Sequence, residues 1–144
     1  MFGFKDNLPK MVGRLTITKN DEVVADIPNL VVTVGKEHTI SRLKDTTQAA
    51  MSHMALGTGT TAAAIADTAL ETEAGRIALS SSTVSGASIQ YVATFGAGTA
   101  TGAITEAGIF NDASAGEMLC RTVFSEINKG AQDSVTVTWT VSIT

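Results

Sequence analysis

The last eleven residues, Ser134-Val-Thr-Val-Thr-Trp-Thr-Val-Ser-Ile-Thr144, alternate apolar and hydroxyl-bearing side chains without a break. Val135, Val137, Trp139, Val141 and Ile143 share one face and the Ser and Thr side chains the other, which predicts a strand with one dry and one wet side. A slip of one residue would bury the hydroxyls, so its register is strongly specified. The same period of two predicts strands at Arg76–Val84, Ser88–Phe95, Ala103–Phe110, Glu117–Ser125 and Ser134–Ile143. Their spacing and the turn formers between them, such as Ser85-Gly86, Gly96-Ala-Gly98 and Asn128-Lys-Gly130, are those of an antiparallel sandwich or jelly roll.

Upstream, Leu15 and Ile17 alternate with polar residues. Asn20-Asp21 then breaks the pattern before Glu22–Ile27, a hairpin signal, and Pro28-Asn29 is expected to end the second strand. Leu30–Val34 is a short β-branched run. Gly35 then opens Lys36–Lys44, the one predicted helix, expected to dock through the narrow stripe of Ile40 and Leu43 with His38 in solvent. Met51–Leu56 reads as a strand ending in Gly57-Thr-Gly-Thr-Thr61, and residues 62 to 74 as a long connection with at most one helical turn. Residues 1–12 follow neither period and read as an extended arm, in which Phe2, Phe4, Leu8 and Pro9 are candidate contacts for another chain. The expected architecture is therefore mainly β. An arm (1–12) precedes a single antiparallel β-sandwich or jelly-roll domain (13–144) with one short α-helix.

Composition narrows the function classes. With 144 residues the chain suits one core. Charged residues are 17% and aromatics 5%, while Ala, Gly, Ser and Thr fill 65 positions, so the surface is built of small neutral groups. A hydrophobic content of 44% argues against disorder, and no apolar run reaches the roughly 18 to 20 residues of a spanning helix, so no membrane association is expected. The net charge of -4, without any Lys/Arg cluster, speaks against nucleic acid as a partner. The single Cys120 cannot form an intramolecular disulfide, which favours assembly in a reducing cytoplasm. Met1–Asp6 shows no secretion or transit pattern.

Candidate chemistry is sparse. His38 and His53 lack metal-ligand spacing, and Cys120 sits within a strand pattern as a small buried side chain. Gly57-Thr-Gly-Thr lacks the Lys-Ser/Thr of a phosphate loop and reads as a tight turn. Asp67, Glu71 and Glu73 lack the ladder of a calcium loop. Glu106, Glu117 and Glu126 lie near strands, where a sugar-cleaving carboxylate pair would be sought, but nothing in their pattern supports one. Neither catalytic residues nor a cofactor are expected.

Several motifs taken in order carry a resemblance. Met54-Ala-Leu-Gly-Thr-Gly-Thr-Thr-Ala-Ala-Ala, Asp67-Thr-Ala-Leu-Glu-Thr-Glu73 with Arg76, Ile104-Thr-Glu-Ala-Gly-Ile-Phe-Asn111, Met118-Leu-Cys-Arg-Thr-Val-Phe124 and Asn128-Lys-Gly130 precede the alternating C-terminal strand. This pattern, over about residues 30 to 144, resembles small virion structural proteins of tailed bacteriophages. The resemblance implies a decoration (cement) protein on the outer capsid surface, made in the host cytoplasm. Its partners would be the major capsid protein and copies of itself as a homo-oligomer. A tail or fibre attachment module is the alternative. The contacts expected for either are Phe2, Phe4, Leu8, Pro9, Ile40 and Leu43.

Overall fold

The computed structural model describes residues 9–144. Its elements, in chain order, are strands β1 (Met11–Lys19) and β2 (Glu22–Val31), helix α1 (Thr33–Lys44), and strands β3 (His53–Gly57), β4 (Glu73–Ala78), β5 (Ser81–Ser85), β6 (Ser88–Phe95), β7 (Gly102–Phe110), β8 (Met118–Lys129) and β9 (Val135–Ile143). The mainly β, antiparallel expectation holds. One nine-stranded sheet runs in the order β4-β3-β7-β8-β2-β1-β9-β6-β5 and curls into a sandwich-like arrangement.

Strand β2 is the fold line. Its Glu22–Asn29 stretch pairs with β1, and its last residues, Leu30 and Val31, pair with Arg121 and Cys120 of β8. One leaf thus carries β1, β9, β6 and β5, the other β8, β7, β3 and β4. Between them lies one core. Leu15, Ile17, Phe95, Val137 and Trp139 from the first leaf join Met54, Leu56, Ile104 and Ile109 from the second, all at 1% exposure or less. The apolar face read from the last strand is this core face from Val135 to Val141, with Trp139 fully buried, whereas Ile143 is exposed. At the β1–β2 turn, Asn20 and Asp21 have φ of 49° and 68°, the positive values a two-residue hairpin turn of the primed type requires.

Three expectations need correction. Pro28-Asn29 does not end β2. Pro28 faces Arg14 and Asn29 faces Gly13 in the β1 ladder, and Leu30–Val34 is divided between the end of β2 and the start of α1. Arg76–Val84 is not one strand. β4 pairs with β3 and β5 with β6, at opposite ends of the strand order. The N–H of Leu79 donates to Ser52 O on one leaf, and the N–H of Ser80 to Val92 O on the other. The chain changes leaves between two consecutive residues, under an alternation of Ile77 and Leu79 that gives no sign of it. Finally, β1 begins at Met11, inside the segment read as an arm; Phe2, Phe4 and Leu8 lie outside the described residues.

The helix is also turned the other way. Ile40 and Leu43 are 66% and 81% exposed, whereas Gly35 and His38 are buried. A side chain at position 35 would collide with the Leu119 carbonyl of β8, so glycine is what lets the helix backbone lie directly on that strand. With residue 35 at the contact, helical periodicity carries 38 and 39 inward and 40 and 43 outward.

Candidate functional site

Two features outside the main core stand out: a loop pinned by buried charge, and a groove at one end of the sandwich.

The loop joins β3 to β4. Glu106 on β7 is fully buried and meets it from below. Its Oε2 accepts from the N–H groups of Gly59 and Thr72, both at 2.8 Å, and its Oε1 from the N–H of Glu71 at 2.9 Å and Arg121 Nε at 3.0 Å. Arg121, 2% exposed, also donates from Nη1 to Asp67 Oδ2 at 2.9 Å and from Nη2 to the Thr61 carbonyl at 3.0 Å. Side chains at 57 or 59 would strike the Glu106 carboxylate. Gly59 of the Gly57-Thr-Gly-Thr stretch thus shares with Glu71 and Thr72 in cradling an anion, and that anion is the protein's own carboxylate. With four donors on its two oxygens, Glu106 is satisfied as a structural anchor.

The remaining acidic residues singled out from sequence are dispersed among separate partners. Glu71 accepts from the N–H groups of Thr60 and Thr61; the Thr61 hydroxyl, then these amides, hold its carboxyl below the usual range. Glu73 pairs with Arg76, whose guanidinium lies 3.7 Å from the Phe110 ring centroid and donates to the Asp112 and Ala115 carbonyls. Glu117 Oε2 is 2.7 Å from His38 Nδ1, so His38 is a buried, paired residue rather than the solvated one expected. Glu126 is exposed. Among the described residues, no group of three or more His, Cys, Asp or Glu is placed to hold a metal ion. Cys120 is buried, and desolvation pushes its thiol well above the ordinary value.

The groove, about 370 Å³, opens where β1 begins and β9 ends. Met11, Met51, Ile89, Leu119, Val141 and Ile143 form its apolar walls. His38, Thr39 and Arg42 reach it from α1, and Val84 and Gly86 from the β5 end. Tyr91 also lines it, its hydroxyl pushed up to about 12 chiefly by burial. Val84 and Ile143 are 71% and 51% exposed, so the rim presents apolar surface to solvent. Of the contact candidates from sequence, Pro9 is exposed just before β1, and Ile40 and Leu43 lie on the outer side of α1, apart from the groove lining. Sequence reasoning missed the groove because, among the described residues, its walls come from six separate stretches of chain. The only local clue was Gly35, a glycine at the start of a helical pattern.

No helix among the described residues is long and apolar enough to cross a membrane. Comparisons with protein-family models, with curated proteins and with solved structures give no match.

Proposed function

We propose that this protein is a structural assembly component that binds other protein surfaces, and, following the resemblance of its motifs, that it decorates the head of a tailed bacteriophage. The observation that carries the reading is the outer face of the first leaf. Across β1, β9 and β6, register places Thr18, Thr136 and Thr94 in one row, Thr16, Thr138 and Val92 in the next, and Arg14, Thr140 and Gln90 in a third. Eight of these nine side chains are uncharged.

Solvated sheet faces ordinarily carry Lys and Glu, whose long side chains lose up to about 2 kcal/mol of rotamer entropy each when ordered. Threonine is already stiff about its first side-chain torsion, so burying this face against a partner orders little. Neutral hydroxyls are also desolvated more cheaply than charges. On an expanded capsid, a slab of this kind bound across the seam between major capsid subunits adds interface at each seam. Many copies make modest contacts effective.

Purified heads supply the test. Wild-type protein is expected to bind them in hundreds of copies, measured by gel densitometry against the major capsid protein. Thr138→Lys with Thr140→Lys should abolish binding while leaving the urea midpoint nearly unchanged. A handful of copies, found only on tailed particles, would instead identify a tail or fibre part.

A further inference from the structure

We propose that the end groove is a receptor for the N-terminal segment, residues 1–8, of a second copy of this chain. The inference goes beyond head binding and stands or fails without any capsid. It starts from where the chain leaves the body. Lys10 and Thr144 exchange two backbone hydrogen bonds, Lys10 N–H to Thr144 O at 3.2 Å and Thr144 N–H to Lys10 O at 2.9 Å. These prolong the β1–β9 ladder past Met11, itself a groove residue, so Lys10 lies at the groove's own mouth.

The composition of that segment matches what the groove lacks. Two of the five phenylalanines in the chain, Phe2 and Phe4, fall within its first four residues, with Leu8 after them and only Lys5 and Asp6 charged. A cavity of about 370 Å³ lies near the lower end of the range for ligand pockets, a size for one or two large apolar side chains rather than a whole packed element. Val84 and Gly86 belong to β5 and its turn, at the edge of the strand order. An incoming extended segment therefore meets backbone donors and acceptors beside the apolar walls, the usual terms of strand addition.

Two considerations favour another copy over the segment's own groove. Pro9 is exposed and has no N–H, so it donates no backbone bond that would hold the chain back against its own body. Eight extended residues reach about 26 to 29 Å, enough to cross to a neighbour. The contact is heterologous, segment to groove, so each copy offers one of each. Repetition closes a ring or extends an array according to the rotation between copies.

The experiment is light scattering after size exclusion on the full chain over a range of concentrations, beside a variant lacking residues 2–8 and a second variant, Val84→Asp. Val84 is 71% exposed, so its substitution leaves the core intact. Ile143→Asp, at a 51% exposed rim position, replaces it should Val84→Asp fail to fold. The wild type is expected to self-associate and each variant to run as a monomer. Mixing the two should restore a one-to-one dimer that grows no further, because one member supplies only a groove and the other only a segment. A wild type that stays monomeric, including one whose own segment fills its groove, overturns the proposal. So does undiminished assembly of the truncated chain, or a mixture that does not associate.

Discussion

Arg121 holds two carboxylates and a carbonyl at 2% exposure, and with Glu106 it forms the buried charged anchor of the β3–β4 loop, which Thr105 and the Glu71 carboxylate also hold. Replacing Arg121 with Met leaves Glu106 buried with three amide donors and no cation. The expected loss is about 3 to 5 kcal/mol in urea unfolding, the usual consequence of removing one member of a buried pair. Glu106→Gln should cost a similar amount, and the double variant less than the sum, because both act on one network. Further out, Asp133 accepts from the Asn20 side chain and the Gly130 N–H, with the Lys19 ammonium 3.6 Å away. The Asn20 side chain first, then the Gly130 amide, lower its pKa from 3.8, as hydrogen bonds lower that of Glu71 from 4.5. A carboxylate whose folded value lies below its unfolded one contributes stability above the unfolded value and loses it as pH falls through the folded one. The urea midpoint should therefore drop as pH is taken from about 5 toward about 2, and Asp133→Asn should flatten part of that slope.

At the scale of elements, the docking of α1 depends on one missing side chain. Gly35→Ala sets a methyl against the Leu119 carbonyl and should cost about 1 to 3 kcal/mol, with faster hydrogen exchange confined to residues 33–44 and the groove wall beside them. This also shows why some elements were legible and others not. β6 and β9 announce themselves because burial on one face alone imposes strict alternation, as in Val135 to Val141. The rotation of α1 was hidden because it is set by contact with Leu119, 84 residues away, and Ile40 and Leu43 are apolar without being buried. The leaf change at Leu79-Ser80 was hidden because both strands keep the same period through it. For the pinned loop, the glycines were visible as a motif, but their occupant, Glu106, comes from a strand paired only in the fold.

For the whole molecule, the curled order brings its two edge strands, β4 and β5, next to each other in the chain, joined only by Leu79 and Ser80. One core cluster spans both leaves. A smaller cluster, Val32, Ala55, Leu70, Phe110 and Met118, belongs to the second leaf and what packs on it, but the larger one draws on both leaves, so unfolding should be a single cooperative event. Trp139, the only tryptophan and fully buried between the leaves, reports on it by fluorescence. Its transition in urea should coincide with that of far-ultraviolet circular dichroism, and two separated transitions would show that the leaves fold independently.

The pairing of Lys10 with Thr144 puts these two residues at one corner. A tag or passenger domain joined after Thr144 therefore starts within a few ångströms of the entrance that Met11 and Ile143 border. Such a fusion would act as a steric stopper there while leaving the threonine rows of the broad face open, so labelled versions of this protein would test the proposed contact of the broad face while silencing the proposed contact of the groove.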